Sequence, residues 1–204
     1  PVANYDQVYI GDVKWRDVNG DGKITEDDRD IIGNNYPDFT FGLHTAVSWK
    51  GLSLSATFDG QYGGEVINFS RYYIANMEGG VNTMAIGNNR YRDEQNPGDG
   101  TVYRANRVAK NLNTKFSTYF VEDASYFRCT NLTLGYTVPQ NKVLRNLNLH
   151  NLYFYASVDN LFTMTRYLGY SPNVDYNSGN LCPGIDFGTY PLSRTYSIGV
   201  KLSF

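Results

Sequence analysis

The feature that most constrains this chain is a set of five long runs in which apolar and polar residues alternate. The runs cover residues 39–50, 52–62, 126–138, 151–163 and 193–204. Alternation with a period of two indicates β-strands whose two faces meet different surroundings. Each run has about ten to thirteen residues, whereas strands of soluble proteins average about five or six. A strand that crosses a bilayer at a tilt needs about nine to eleven residues, so the lengths favour a transmembrane sheet.

The second face of these runs agrees with a membrane setting. It is polar and includes Ser53, Asp59, Asn131 and Lys201, as expected for side chains that line a water-filled lumen. The chain contains no run of about 20 apolar residues, so the sequence predicts no membrane-spanning helix. The pattern therefore predicts an all-β, antiparallel transmembrane barrel.

The connections between the runs differ strongly in length. Residues 50–51 form a tight turn between the first two runs, and 139–150 join the third and fourth. In contrast, 63–125 and 164–192 are long segments rich in Gly, Asn and Tyr. Outer-membrane barrels have short periplasmic turns and long extracellular loops. The two long segments are therefore predicted to be extracellular loops.

Strand direction extends this prediction to the N-terminal end. If the last run descends to the periplasm, alternating directions put both long segments and residues 1–38 outside the cell. We therefore divide the chain into an extracellular loop at 1–38 and barrel strands with their loops at 39–204. Five strands cannot close a membrane barrel, because the smallest have about eight. We expect the remaining strands to come from a longer polypeptide or from another chain.

The segment 17–28, with the sequence DVNGDGKITEDD, fits a twelve-position calcium loop of the EF-hand type. Gly22 falls at position 6, where the loop turns sharply. The predicted calcium ligands at positions 1, 3, 5, 7, 9 and 12 are Asp17, Asn19, Asp21, the Lys23 carbonyl, Thr25 and Asp28. An Asx-rich turn held by its own hydrogen bonds is the simpler alternative, and a dockerin repeat is another. The flanks predict a strand at 8–15 and a short helix that ends at Gly33.

Several stretches together resemble the C-terminal part of the SusC/RagA family of TonB-dependent importers. Residues 11–34 and 37–42 read GDVKWRDVNGDGKITEDDRDIIGN and PDFTFG. Three further stretches, at 120–139, 158–174 and 194–204, read FVEDASYFRCTNLTLGYTVP, VDNLFTMTRYLGYSPNV and RTYSIGVKLSF. They resemble the late strands and loops of that family, in the same order.

The resemblance implies a fold, a function and partners. It implies a barrel of about 22 strands plugged by an N-terminal domain, in the outer membrane of a Gram-negative, Bacteroidetes-like bacterium. It implies import of oligosaccharides or peptides with a SusD-like surface lipoprotein, and energy coupling to TonB through a part absent here. It also implies contacts with membrane lipid, the remaining strands and the plug. The terminal Phe204 resembles the signal read by the barrel-assembly machinery, although a terminal aromatic residue also suits a membrane interface.

The long loops hold the candidate residues for binding substrate or partner. Aromatic faces pack against sugar rings, and loops carry binding residues more often than scaffolds do. The candidates are Tyr72, Tyr73, Tyr91, Tyr103, Tyr167, Tyr170, Asp175 and Tyr176. The same residues are equally suited to dock the lipoprotein or to hold the loops together.

Other functions have weaker support. His44 and His150 fall on a polar strand face and in a short turn, and no catalytic constellation accompanies them, so we do not predict an enzyme. A net charge of −2 without a basic cluster argues against nucleic acid as a partner. Cys129 and Cys182 allow one disulfide or two unpaired thiols. The alternative is a secreted, calcium-stabilised β-domain with a carbohydrate-binding or adhesive role, which predicts shorter strands buried on both sides.

Overall fold

The fold is described from a computed structural model, in which residues 8–79, 83–107, 113–174 and 183–204 are described. Its strands and α-helices in chain order are β1 Phe39–Trp49, β2 Leu52–Tyr62, β3 Glu65–Asn68, α1 Phe69–Ile74, β4 Val121–Asp123, β5 Tyr126–Thr137, α2 Lys142–Asn146, β6 Asn151–Thr165, β7 Ile185–Asp186 and β8 Thr195–Ser203. Short 3₁₀ helices lie at Glu26–Asp28, Ala85–Asn89 and Thr118–Phe120. None of the described helices has the length and apolar character needed to cross a membrane.

The five long strands form one antiparallel sheet in the order β1-β2-β5-β6-β8. Each predicted run corresponds to one of these strands, so the prediction of an all-β, antiparallel architecture is confirmed. Neighbours in the sheet are also successive long strands along the chain, which makes the sheet a simple up-and-down meander. The short connections lie at one end of the sheet and the two long loops lie at the other.

The β1–β2 turn shows why its sequence is Lys-Gly. Lys50 and Gly51 both have positive φ, of 48° and 89°. A two-residue hairpin turn with positive φ at both positions matches the twist of the flanking strands. A side chain at Gly51 would lie 2.7 Å from the carbonyl oxygen of Thr137. Glycine is therefore required both by the turn and by the neighbouring strand.

An irregularity in β5 preserves the separation of its faces. The register shifts between Cys129 and Asn131 where β5 pairs with β6, and between Thr57 and Phe58 where β2 pairs with β5. The extra residue, Thr130, donates its hydroxyl to the carbonyl oxygen of Thr57 at 3.1 Å. Because a bulge adds one residue, the apolar positions change from odd to even numbers without leaving their face.

A second, smaller sheet lies within the outer loops and was not predicted. Strand β3 pairs antiparallel with β4 and parallel with β7. Its strands have only two to four residues, too short for an alternating pattern to be visible. Val66, Ala124, Tyr167 and Val174 form a buried apolar cluster beside it. The described parts of 63–125 and 164–192 thus fold around a core of their own. We call these parts the outer layer.

The N-terminal segment differs from its prediction. The predicted strand at 8–15 is wrong, because its polar backbone groups bond to the outer loop and not to a neighbouring strand. Val13 donates its amide to the Asn113 side chain at 2.8 Å, and Arg104 donates its amide to the Gly11 carbonyl at 2.8 Å. The predicted short helix is present only as the 3₁₀ turn Glu26–Asp28, so it ends well before Gly33.

Candidate functional site

The five-stranded sheet has one apolar face and one polar face. Residues paired across neighbouring strands point to the same side of a sheet, so each row of partners has one chemical character. Two apolar rows, from β1 to β8, are Trp49, Leu52, Tyr136, Phe154 and Val200, and then Val47, Leu54, Leu134, Ala156 and Ile198. The alternate rows are polar and include Ala46, Ser55, Thr133, Ser157 and Ser197, and then His44, Thr57, Asn131, Asp159 and Thr195.

The apolar face is not covered by any other part of the described chain. Ile198 is 90% exposed and Val47 is 64% exposed. Soluble proteins rarely leave an apolar patch of this extent open to water. The face therefore requires another apolar environment.

Aromatic side chains mark both ends of the apolar face. At the outer end, Phe39 stacks on Tyr62 at 5.5 Å, and Phe127 stacks on Phe58 at 5.4 Å. At the other end lies Trp49. The ten residue steps from Phe39 to Trp49 span about 33 Å along the strand, which becomes about 25 Å at the tilt of a membrane strand, the height of a barrel's apolar band. Aromatic residues at both edges match the girdles of such barrels.

The polar face carries its own ordered cluster near the short turns. The rings of Tyr153 and Tyr155 stack 6.0 Å apart, and the Lys201 ammonium lies 5.5 Å from the Tyr155 ring. Gly135 and Gly199 lie beneath these rings, where any Cβ would overlap them. The two glycines are therefore explained by close packing of tyrosines on the polar face.

The histidines lie where the sequence predicts. The His44 Nδ1 lies 3.0 Å from the Thr57 hydroxyl, on the polar face of β1 and β2. His150 is exposed in the connection between β5 and β6. Cys129 is buried on the apolar face opposite Phe58 and Phe162. Cys182 lies outside the described residues, so the disulfide stays an open prediction.

The acidic segment 17–28 forms a compact turn held by its own carboxylates. The Asp17 oxygens accept the amides of Gly20 and Gly22 at 2.6 and 2.8 Å, and Asp21 accepts the amide of Lys23 at 2.8 Å. Asp28 closes the loop. Amides of Thr25 and Val18 donate to its carboxylate and lower its pKa.

This arrangement bears on the predicted calcium site in two ways. Three carboxylates, an amide oxygen, a backbone carbonyl and a hydroxyl are the hard oxygen donors that Ca²⁺ prefers. Across the described residues, however, no group of three or more His, Cys, Asp or Glu side chains is placed to hold a metal ion. The donor chemistry of Asp17, Asn19, Asp21, Lys23 and Thr25 with Asp28 fits the ion, and the carboxylates here are engaged with the loop backbone.

The predicted loop tyrosines fall into an exposed set and a packed set. Tyr73 and Tyr170 are 62% and 72% exposed. Tyr72 packs against Phe69, Tyr73 and Phe120, and Tyr91 lies against Gly11. Tyr103 and Tyr167 are buried, at 6% and 5% exposure. Asp175 and Tyr176 lie outside the described residues. Ligand contact by any of these residues remains a prediction.

The two buried tyrosines, Tyr103 and Tyr167, form hydrogen bonds inside the outer layer. Burial raises the pKa of Tyr103 to about 12, and its hydroxyl accepts the Met77 amide at 3.3 Å. The Tyr167 hydroxyl donates to Asp186, and burial together with this bond raises the pKa of Tyr167. Asp186 is 1% exposed and also accepts the amides of Gly188 and Thr189.

A buried polar network joins the N-terminal segment to the outer layer, and sequence reasoning missed it. Arg104 donates to Asp12 at 2.7 Å, Asn113 donates to the same carboxylate at 2.9 Å, and the Asn113 amide donates to Glu78 at 3.3 Å. Burial alone would raise the pKa of Asp12, but the bonds from Asn113, Tyr9 and Arg104 outweigh it and lower that pKa. Asp12 and its two side-chain partners are about a hundred residues apart, so no local motif reveals the network.

Comparison with known proteins identifies the relatives of this chain. No protein-family model matches it. The TonB-dependent receptor P3 of Formosa agariphila is 31% identical over 195 residues, which are 93% of this chain and 19% of the relative. The TonB-dependent receptor SusC of Bacteroides thetaiotaomicron is 28% identical over 209 residues, 98% of this chain and 19% of the relative. The chain thus spans about a fifth of the length of these relatives.

Solved structures give the same result. A chain in the structure of the RagAB peptide importer in the open-open state matches with a TM-score of 0.66 and 31% identity. The match covers 83% of this chain and 17% of that chain. A structure of the RagAB peptide transporter matches with a TM-score of 0.66 and 32% identity, over 82% of this chain and 17% of that one.

These matches place the chain in the class of the TonB-dependent receptors. The similar solved structure is that of a transporter. Within that class the chain is a SusC/RagA-like segment, and the resemblance predicted from its motifs is confirmed.

Proposed function

We propose that this chain forms five adjacent wall strands of a transport barrel of about 22 strands in the bacterial outer membrane. The observation that carries the proposal is the separation of apolar and polar rows across all five strands. The apolar face contacts lipid and the polar face lines the lumen. Within the described residues, β1 and β8 each pair on one side only, and further strands of the barrel complete them, since open sheet edges are not stable in lipid.

The proposed barrel imports nutrients with the outer loops facing the medium. Relatives named as TonB-dependent receptors, and the RagAB peptide importer among the solved structures, support energised import. The cargo class that we propose is oligosaccharide or peptide. The proposed partners of this chain are a SusD-like surface lipoprotein at the outer layer, membrane lipid, the remaining barrel strands and the plug domain. TonB is contacted through another part of the receptor. Phe204, which is 79% exposed, serves in barrel assembly.

Uptake by intact cells tests this proposal. Cells that produce the full-length receptor should accumulate labelled oligosaccharide or peptide, and a protonophore that removes the TonB energy source should abolish accumulation. Binding to the cell surface should persist without energy. Accumulation that is equal with and without the protonophore would contradict TonB-dependent import.

The acidic loop supports a second proposal, which is that it binds Ca²⁺ through Asp17, Asn19, Asp21, Lys23, Thr25 and Asp28. The donor set carries this proposal, together with the tightly turned backbone around it. Bound Ca²⁺ stabilises only states that bind it, so it should reduce opening of the loop. Its role here is structural, as a brace for the extracellular segment.

Protease sensitivity with and without a chelator tests the calcium site. In the full-length receptor, chelation should increase cleavage within 14–33, and the double variant Asp17→Ala/Asp21→Ala should remove the response. A matched control is Asp93→Ala/Asp99→Ala, because these exposed carboxylates also accept local amides. If chelation leaves cleavage unchanged in the unaltered receptor, the loop is an Asx turn without a metal.

Exposed aromatic rings in the outer layer are the proposed contacts for cargo or lipoprotein. Among the predicted tyrosines that the structure describes, Tyr73 and Tyr170 are the most exposed. Replacing either by Ala should weaken cargo or lipoprotein binding, and Tyr103→Phe should not, because the Tyr103 ring is buried. Photo-crosslinkers at positions 73 and 170 should identify which of the two is contacted.

A further inference from the structure

The polar face contains a buried cation whose best bonding edge has no partner. Arg128 is 8% exposed, and its Nε and Nη2 atoms are buried without a hydrogen-bond acceptor. Its guanidinium carbon lies 4.6 Å from the centre of the Tyr126 ring. A buried guanidinium with unused donors is costly unless another group satisfies it. The position therefore needs an occupant beyond the described chain.

The nature of the free edge indicates the chemistry of that occupant. The Nε–H and Nη2–H bonds of a guanidinium run parallel on one edge, and they fit the two oxygens of a carboxylate. In the described structure, Arg128 forms no ion pair. The free edge is thus suited to a bidentate carboxylate.

A free acceptor lies in the same row of the sheet, on β2. Asp59 is the cross-strand partner of Arg128. Its Oδ2 accepts the Tyr126 hydroxyl at 2.9 Å, and its Oδ1 is buried without a partner. A ligand that offers a carboxylate to Arg128 and a neighbouring N–H or O–H to Asp59 would satisfy both groups.

The position next to Asp59 in the same row carries no side chain and has open surroundings. The next residue in the row, on β1, is Gly42, and a Cβ there would meet nothing closer than 3.9 Å. On the other side, the next residue in the row is Thr163 on β6. The groups thus lie at the outer end of the polar face, directly beneath the outer layer.

We propose that Arg128 and Asp59 form a cargo-binding site for a carboxylate that has an adjacent hydrogen-bond donor. The site rests on the proposed function, because it requires the polar face to be the lumen of the barrel. Its ligand is the C-terminal unit of a peptide, with its last amide N–H, or a uronic acid with its neighbouring hydroxyl. Because this edge of Arg128 is buried, neighbouring side chains have to shift as the ligand enters.

Binding to the full-length receptor in detergent tests this proposal by calorimetry. The probes are tetra-alanine with a free C-terminus, the same peptide with a C-terminal amide, and a digalacturonate. The free acid should bind about ten- to a hundredfold more tightly than the amide, the effect of a charge-assisted pair of hydrogen bonds. Digalacturonate that binds in preference to both peptides would assign the carboxylate to a sugar.

Substitutions test which residues cause the preference for the free acid. Arg128→Gln should abolish the preference for the acid, and Arg128→Lys should restore only part of it, because an ammonium lacks the parallel edge. Gly42→Leu should weaken binding by filling the space while leaving the cation in place. Arg194→Gln is the matched control, since Arg194 is exposed and donates to the backbone carbonyl of Asn160.

The outcomes separate this site from the barrel itself. Equal binding of acid and amide to the unaltered receptor, or an Arg128→Gln receptor that keeps the preference, would overturn the site. Because the acid and amide comparison needs no variant, it remains decisive if Arg128→Gln does not fold. Lipid contact by the apolar face is measured independently, so a failed site does not imply a failed barrel.

Discussion

The five-stranded sheet and the outer layer differ in where their apolar side chains lie. Most of the buried apolar residues, such as Val66, Tyr103, Phe120 and Val174, belong to the outer layer. Large apolar residues of the sheet, such as Ile198, are exposed. The outer layer thus folds around a core as a soluble protein does, whereas the sheet leaves its large apolar side chains exposed within the described residues. In the proposed barrel, lipid would cover this face of the sheet.

The largest expected effect tests the sheet side of this comparison. Leu132 lies in the middle apolar row, opposite Ala56 and Val158. Leu132→Arg should destabilise the barrel by about 2–4 kcal/mol, the cost of a cation at the bilayer midplane. Thr133→Arg, one residue further on the polar face, should cost much less. Urea unfolding of the full-length receptor in lipid vesicles measures both, and equal costs would contradict the assignment of faces.

A somewhat smaller effect concerns the packing of the polar face. In Gly135→Ala the new methyl group would collide with the Tyr153 ring, so we expect a loss of about 1–3 kcal/mol from overpacking. Gly42→Ala is the control, because its surroundings are open. The same unfolding assay distinguishes them. A harmless Gly135→Ala would show that the stacked tyrosines do not sit over this glycine.

The third prediction concerns the core of the outer layer. Tyr167→Phe removes one of the bonds that satisfy buried Asp186, and we expect a local loss of about 1 kcal/mol. Hydrogen exchange should quicken in β3, β4 and β7 and stay unchanged in β2 and β5. Tyr170→Phe, which removes the hydroxyl of an exposed tyrosine, should leave hydrogen exchange unchanged in both sets of strands. Faster exchange throughout the barrel strands would contradict the independence of the two regions.

The smallest effect is a pH response of the N-terminal attachment. The pKa of Asp12 is lowered in the folded protein, so its stabilising contribution is complete above its usual pKa of 3.8 and is lost as the pH falls through the lowered value. A dye on a cysteine at the exposed position Ile10 should become more mobile below about pH 4. The variant Asp12→Asn should be equally mobile at pH 7 and below pH 4. Mobility that is independent of pH in the unaltered chain would remove Asp12 as the attachment.

The sequence predicted the sheet well because its information is local. Alternation in 52–62 or 193–204 can be seen within a dozen residues, and strand direction followed from loop length alone. The outer layer was not predictable in this way. Its short strands carry no periodic signal, and its stabilising pairs, such as Asp12 with Asn113 and Tyr167 with Asp186, join residues far apart in the chain.

The candidate sites follow the same division. The acidic loop can be predicted from the sequence because its oxygen ligands lie within twelve consecutive residues. In the structure, carboxylate oxygens of this loop accept hydrogen bonds from backbone amides. Tyr103 and Tyr167 are predicted from the sequence to bind substrate or lipoprotein or to hold the loops together, and their neighbours in the sequence do not reveal that both are buried. Arg128 and Asp59 escaped notice because a register between distant strands, rather than a motif, brings them together.

Probe accessibility along β2, Leu52–Tyr62, tests the central assignment of the two faces most directly. Single nitroxide labels in the full-length receptor, reconstituted in lipid, report contact with oxygen dissolved in the bilayer and with a water-soluble nickel complex. We predict oxygen contact at Leu52, Leu54 and Phe58 and nickel contact at Ser53 and Ser55, in strict alternation. Labels at the apolar positions that meet neither reagent, as inside a protein core, would contradict the account.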